Sequence, residues 1–241
     1  MRRRTSLVTA VVSTVLLAAG CGLTDEGPRP GVAAEVDGES LQLEVVDRTV
    51  EDYCTLLAEH PDEQAFPTAL IRTQLTLLWS RSVAIDAVAT DHGVPVPGEV
   101  DESEVRAQWE ALGEIDDDNL ESFTWLADIQ ARDEAMIEAI GTAAFLDETG
   151  QPVVGEDAWN RGNELVALWL DHNQPHLNPV FGDVDWSDGT ISADALSVPV
   201  SDEAVGLVDI SAVSAERLAE LPASQRCGPE PQDEAAAVPI G

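Results

Sequence analysis

The segment QAFPTALIRTQLTLLWSRSVAIDAVATDH, residues 64–92, decides the fold class. Ile71, Leu75, Leu78, Ser82, Ile85 and Ala89 follow one another at alternating steps of four and three. That spacing puts them on one face of an α-helix, whereas a strand would alternate every second residue. Gly93 and Pro95 then stop the helix. The same periodicity continues on both sides. Upstream, Val46, Val50, Tyr53 or Cys54, and Leu57 predict a helix from Glu44 to His60, closed by Pro61. Downstream, a short charged helix is expected over Asp101–Leu112. A long helix capped by Asp118 or Asn119 should run to Phe145, with Leu126, Ile129, Met136 or Ile137, Ile140 and Ala144 inward. A fifth helix, Glu156–Asn173, places Ala158, Leu165 and Trp169 inward and ends before Pro175.

The β content lies at the two ends of this series. Ala33–Val36 leads into the turn dipeptide Asp37-Gly38, and Leu41 and Leu43 alternate after it, which reads as a strand, a turn and a second extended piece. Past His176, residues 181–186 and 190–200 read as a hairpin around Ser187-Asp188-Gly189, followed by a weaker helical patch near 212–221. The expected fold is mainly α: about five helices packed with an N-terminal strand segment, plus a C-terminal β-hairpin. Residues 32–175 would form the helical domain, and 176–227 would pack on it. The Pro- and Ala-rich stretch 228–241 reads as a disordered tail.

The first twenty residues have a different character. Arg2, Arg3 and Arg4 precede an apolar run from Leu7 to Ala19, and Leu17-Ala18-Ala19-Gly20-Cys21 resembles the lipobox of lipoprotein signal peptides. The run is too short for a comfortable transmembrane helix, which needs about 20 residues, and its flanks are those of a cleaved leader. The expectation is cleavage before Cys21 and lipid on that cysteine. Residues 21–31 would be a Gly- and Pro-containing tether, with the chain on the extracytoplasmic face of the cell membrane. A diacylglycerol group supplies the two chains that stable anchoring requires.

Charge and cysteine content narrow the function classes. Forty-six acidic residues face twelve arginines and no lysine, for a formal net charge of −34. The leader would remove three arginines and no carboxylate, so the mature chain is more acidic still. Such a surface does not suit nucleic acid, whose phosphates require cationic side chains. The apolar content of 44% is ordinary for a folded domain. With Cys21 given to lipid, Cys54 and Cys227 remain. Outside the cytoplasm two such thiols usually pair, so a disulfide is expected; two free buried thiols are the alternative.

No nucleophile elbow, phosphate-binding loop, dinucleotide fingerprint or His-Glu-x-x-His motif occurs, so no catalytic residue, cofactor or metal is assigned. His172 and His176 have helical metal spacing, but Pro175 falls between them at the helix end and no third ligand is evident. Residues 183–194 approach a calcium loop, yet Gly189 stands one position late, and an acidic hairpin turn describes them better. The tryptophans, Trp79 and Trp109 among them, could line a peptide-binding surface, although core packing accounts for most.

The pattern Val32-Ala33-Ala34-Glu35-Val36-Asp37-Gly38-Glu39, with Leu43-Glu44-Val45-Val46-Asp47 after it, resembles the opening of SurA- and PrsA-type chaperones. With the lipobox, Glu51-Asp52-Tyr53-Cys54, and Asn178-Pro179-Val180-Phe181-Gly182 followed by Leu196-Ser197-Val198-Pro199, the chain is similar to actinobacterial lipoproteins bearing a SurA-like N-terminal domain. The likeness covers roughly residues 32–200 and leaves no room for a parvulin prolyl-isomerase domain. It implies chaperone-like binding of unfolded or partner polypeptides without catalysis. The alternative is an accessory or structural lipoprotein of a cell-wall or secretion complex.

Overall fold

The structure, a computed structural model, describes residues 29–186, 190–192 and 215–230. Cys21 with the leader, the turn at 187–189, the Leu-Ser-Val-Pro segment and residues 231–241 lie outside the described residues.

The chain is mainly helical, with small antiparallel sheets near its two ends. Strands β1 (Val32–Val36) and β2 (Glu39–Gln42) form a hairpin. Asp37 and Gly38 both take positive φ, 48° and 82°. Two consecutive left-handed residues give the turn whose twist matches that of paired strands. Helix α1 (Leu43–Ala58) follows, and a two-residue strand β3 (Phe66–Pro67) leads into α2 (Thr68–Asp91). Then come α3 (Glu102–Trp109), α4 (Leu120–Thr149) and α5 (Glu156–Asn173). Strand β4 (His176–Leu177) pairs with the free side of β1, giving the order β2-β1-β4. Asn178 fixes this closure: its Nδ2 donates to Val32 O at 2.9 Å and its backbone N to Ala33 O at 2.7 Å. Its Oδ1 also accepts from Val180 N and caps a 3-10 turn at Pro179–Phe181. The Asn-Pro motif is thus a latch between the two ends of the helical region. Beyond it lie the hairpin β5 (Asp183–Asp185) and β6 (Thr190–Ser192), helix α6 (Ala215–Glu220) and β7 (Arg226–Cys227).

Two apolar clusters hold the helices together. The first joins β1, α1, the front of α2, α3 and the front of α4, and includes Val46, Leu75, Trp79, Trp109, Phe123 and Cys227. The second joins Ile85 and Val88 of α2 to Met136, Ile137 and Ile140 of α4 and Val166 and Leu170 of α5.

Five sequence expectations shift. The first hairpin strand, expected over 181–186, covers only Asp183–Asp185, because Phe181 belongs to the 3-10 turn that Asn178 caps. Helix α2 begins at Thr68 rather than Gln64, because Phe66 and Pro67 pair with Cys227 and Arg226. Helix α4 runs one turn past Phe145 to Thr149, where Gly150 ends it in the left-handed conformation (φ 72°). In α5 the buried line is Ala158, Gly162, Val166 and Leu170, and Leu165 and Trp169 flank it. The cause is Gly162, whose missing side chain lets α5 approach α4 along a line that hydropathy alone does not mark. Finally, Gly228–Glu230, expected to belong to the tail, are placed against the body.

Candidate functional site

Helix α1 buries one side through Val46, Thr49, Val50 and Leu56. On its other side Asp47, Glu51, Cys54, Thr55 and Ala58 follow at helical steps and form one wall of a groove of about 820 Å³. Thr68 and Arg72, from the first turns of α2, form the second wall. The third is the C-terminal segment, through Ala223, Ser224, Arg226, Gly228, Pro229 and Glu230.

That third wall stands where it does for three reasons. The Cys54–Cys227 disulfide joins it to α1, with Cα atoms 4.5 Å apart. β7 pairs with β3, and Leu218 of α6 is buried. Gly228, at φ 108°, passes so close that a Cβ there would lie 3.1 Å from Ala65 Cα.

The groove is amphipathic. Val50, Cys54, Ala58, Ala223 and Pro229 are its apolar surface. Arg72 Nη2 lies 2.5 Å from Asp47 Oδ1, and its guanidinium carbon is 5.9 Å from the centre of the Phe181 ring. Arg226 is 3.9 Å from Glu230. Both groove arginines are therefore already partnered. Next to this groove lies a second depression of about 170 Å³, which shares Glu51 and Thr55 and adds Asp52, Leu56, Glu59, Glu114 and Asn119. Asp52 accepts a short hydrogen bond from Ser122 Oγ.

Side chains with displaced proton affinities lie elsewhere. Burial raises the Tyr53 pKa, with help from Glu63. Burial also raises that of Asp86, against the pull of Arg132. Hydrogen bonds from Ser103 and from the backbone of Glu104 lower that of Asp101, the N-cap of α3.

Of the residues singled out from sequence, Cys54 and Cys227 meet at the groove. His172 closes α5 and His176 sits on β4; among the described residues no three His, Cys, Asp or Glu side chains are grouped to hold a metal. Trp79 and Trp109 are core residues, with the Trp109 ring 4.6 Å from that of Phe123 at a tilt of 32° and edge-on to Tyr53. Trp159 is 38% exposed. Among the described residues no helix is long and apolar enough to cross a membrane. The groove itself is not visible from hydropathy, because its third wall comes from a stretch of Ala, Ser, Gly and Pro with no periodic signal. The one pointer to it is Cys227, once paired with Cys54. Comparison with protein-family models, with curated proteins and with solved structures finds no match.

Proposed function

We propose that this chain is a lipid-anchored, extracytoplasmic protein that binds polypeptide in a chaperone-like way and catalyses no reaction. The observation that carries the reading is the groove between α1, α2 and the disulfide-held C-terminal segment. Its volume lies in the range that encloses ligands of a few hundred daltons, which for a polypeptide means a short stretch at a time. An apolar floor with charged shoulders suits side chains that alternate between buried and wet. The SurA-like strand–turn–helix opening and the lipobox at Cys21 support the same assignment.

Two experiments test it. Cys21→Ala should abolish lipid labelling and leave unprocessed precursor; unchanged labelling and membrane retention would overturn the anchor. The full-length protein, at up to equimolar amounts, should slow the aggregation of unfolded clients, and Thr55→Trp, which fills the groove, should remove that effect. The small size of the groove favours one second reading, an accessory lipoprotein with a dedicated partner. Failure on several unrelated clients, with tight binding to one native partner, would select it.

A further inference from the structure

We infer that the occupant of the groove is a basic, amphipathic polypeptide segment, with Arg or Lys side chains alternating with apolar ones. The inference rests on the polypeptide-binding reading and adds the chemistry of the partner. Every arginine whose side chain is described is already in an ion pair, Arg72 and Arg226 of the groove included. The described surface therefore offers no spare cation to an acidic partner. Along the groove and its neighbouring depression the excess runs the other way. Glu51, Glu59 and Glu114 form no ion pair among the described residues, and all three line one continuous depression. Glu51 and Thr55 belong to both hollows, so carboxylates extend from the apolar floor outward along α1. The net charge of −34 adds a long-range field of the same sign.

An acidic segment would bring uncompensated carboxylates against Glu51 and Glu59. A neutral apolar segment would fill the floor formed by Val50, Ala58 and Pro229 and leave the shoulder unused. A basic amphipathic segment satisfies both. Exposed charges of this kind act mainly on encounter and selectivity, and salt screens them.

The test uses the full-length protein and three fluorescent peptides of one length, alternating Leu with Arg, with Ser or with Glu. The Arg peptide should bind about tenfold more tightly than the Ser peptide, the sum of several exposed-charge contributions, and the preference should fade as salt rises. Replacing Glu51, Glu59 and Glu114 by Gln should abolish the preference and spare binding of the Ser peptide. Replacing Asp91, Glu99 and Asp157, acidic residues outside the groove, by their amides is the control and should leave the preference intact. Equal binding of the Arg and Ser peptides, or an equal loss in both triple variants, would overturn the charge assignment while polypeptide binding stands. Absence of binding by all three peptides, or binding indifferent to Thr55→Trp in a variant of unchanged Tm, would overturn the groove as a polypeptide site altogether.

Discussion

Asp86 stands in the last third of α2 beside the fully buried Ile85, and only a third of its side chain, 34%, meets solvent. Its Oδ2 is 3.4 Å from Arg132 Nε, while Oδ1 is buried without a hydrogen-bond partner. Burial raises its pKa; the Arg132 charge opposes this, and the carboxylates of Glu39 and Asp128 reinforce it. Because the folded-state pKa lies above the unfolded value, ionisation of Asp86 opposes folding at neutral pH. That penalty is relieved as pH falls through the folded pKa. Asp86→Asn should therefore raise Tm at pH 7, and the gain should shrink towards acid. For a chain of this length, 1 kcal/mol moves Tm by about 2–4 °C. Arg132 keeps a partner in Asp128 at 2.9 Å, so the substitution does not strand a cation. A lower Tm at neutral pH would mean that the Arg132 contact outweighs burial. None of this is legible in sequence. The periodic reading passes through Ile85 and ignores its polar neighbour, and Arg132 lies on another helix. Cys54 and Cys227 are legible at the same scale because thiols are few, so a pairing can be expected from their number without any knowledge of packing.

Helices α4 and α5 meet through glycine. A Cβ on Gly141 would sit 1.8 Å from Ala158 O, and one on Gly162 would sit 2.0 Å from Ile137 O. Both clashes are with backbone, which no rotamer change relieves. Gly→Ala in a helix interior ordinarily gains about 0.8–1 kcal/mol. Here the two helices must separate, and overpacking costs typically about 1–3 kcal/mol and sometimes more. Gly162→Ala and Gly141→Ala should each lower stability, by up to about 2 kcal/mol net and by more where the cost exceeds its typical range. The double variant should lose less than the sum, because the first substitution has already parted the pair. Denaturant midpoints measure all three; a gain in any single variant would show that α4 and α5 have room to spare. The sequence yields the elements well where the apolar repeat is long, as in α2 and α4. It misplaces the inner line of α5 because Gly162 contributes contact by what it lacks. It misses β3 and β7 because two-residue strands carry no periodicity, and the helical reading from Gln64 runs straight through Phe66 and Pro67.

For the molecule as a whole, the decisive link spans 173 positions, from Cys54 to Cys227. Closing a loop of that length removes unfolded-state entropy equivalent to about 5 kcal/mol in the chain-entropy model, with real cases often giving less. That is a sizeable part of the 5–15 kcal/mol or so by which domains are stable. The link also has a local task. The wall from Ala223 to Glu230 has, besides the disulfide, a two-residue strand pairing and the buried Leu218 to hold it. Cys227 is fully buried and belongs to the same apolar cluster as Val46, Trp79 and Phe123, whereas Cys54 is partly exposed and lines the groove. A thiol reductant should therefore approach from the groove, on the Cys54 side of the bridge. Cys54→Ser with Cys227→Ser should lower Tm by about 10 °C or more, given 2–4 °C per kcal/mol. It should also expose the C-terminal segment to proteolysis at or near Arg226 while the helices stay protected, and it should weaken peptide binding in parallel. Reduction of the wild-type protein should reproduce all three effects, and reoxidation should reverse them. An unchanged Tm with binding lost would confine the disulfide to shaping the groove. A lowered Tm with binding intact would mean that Leu218 and the β3–β7 pairing hold the wall unaided, and that the bridge serves stability alone.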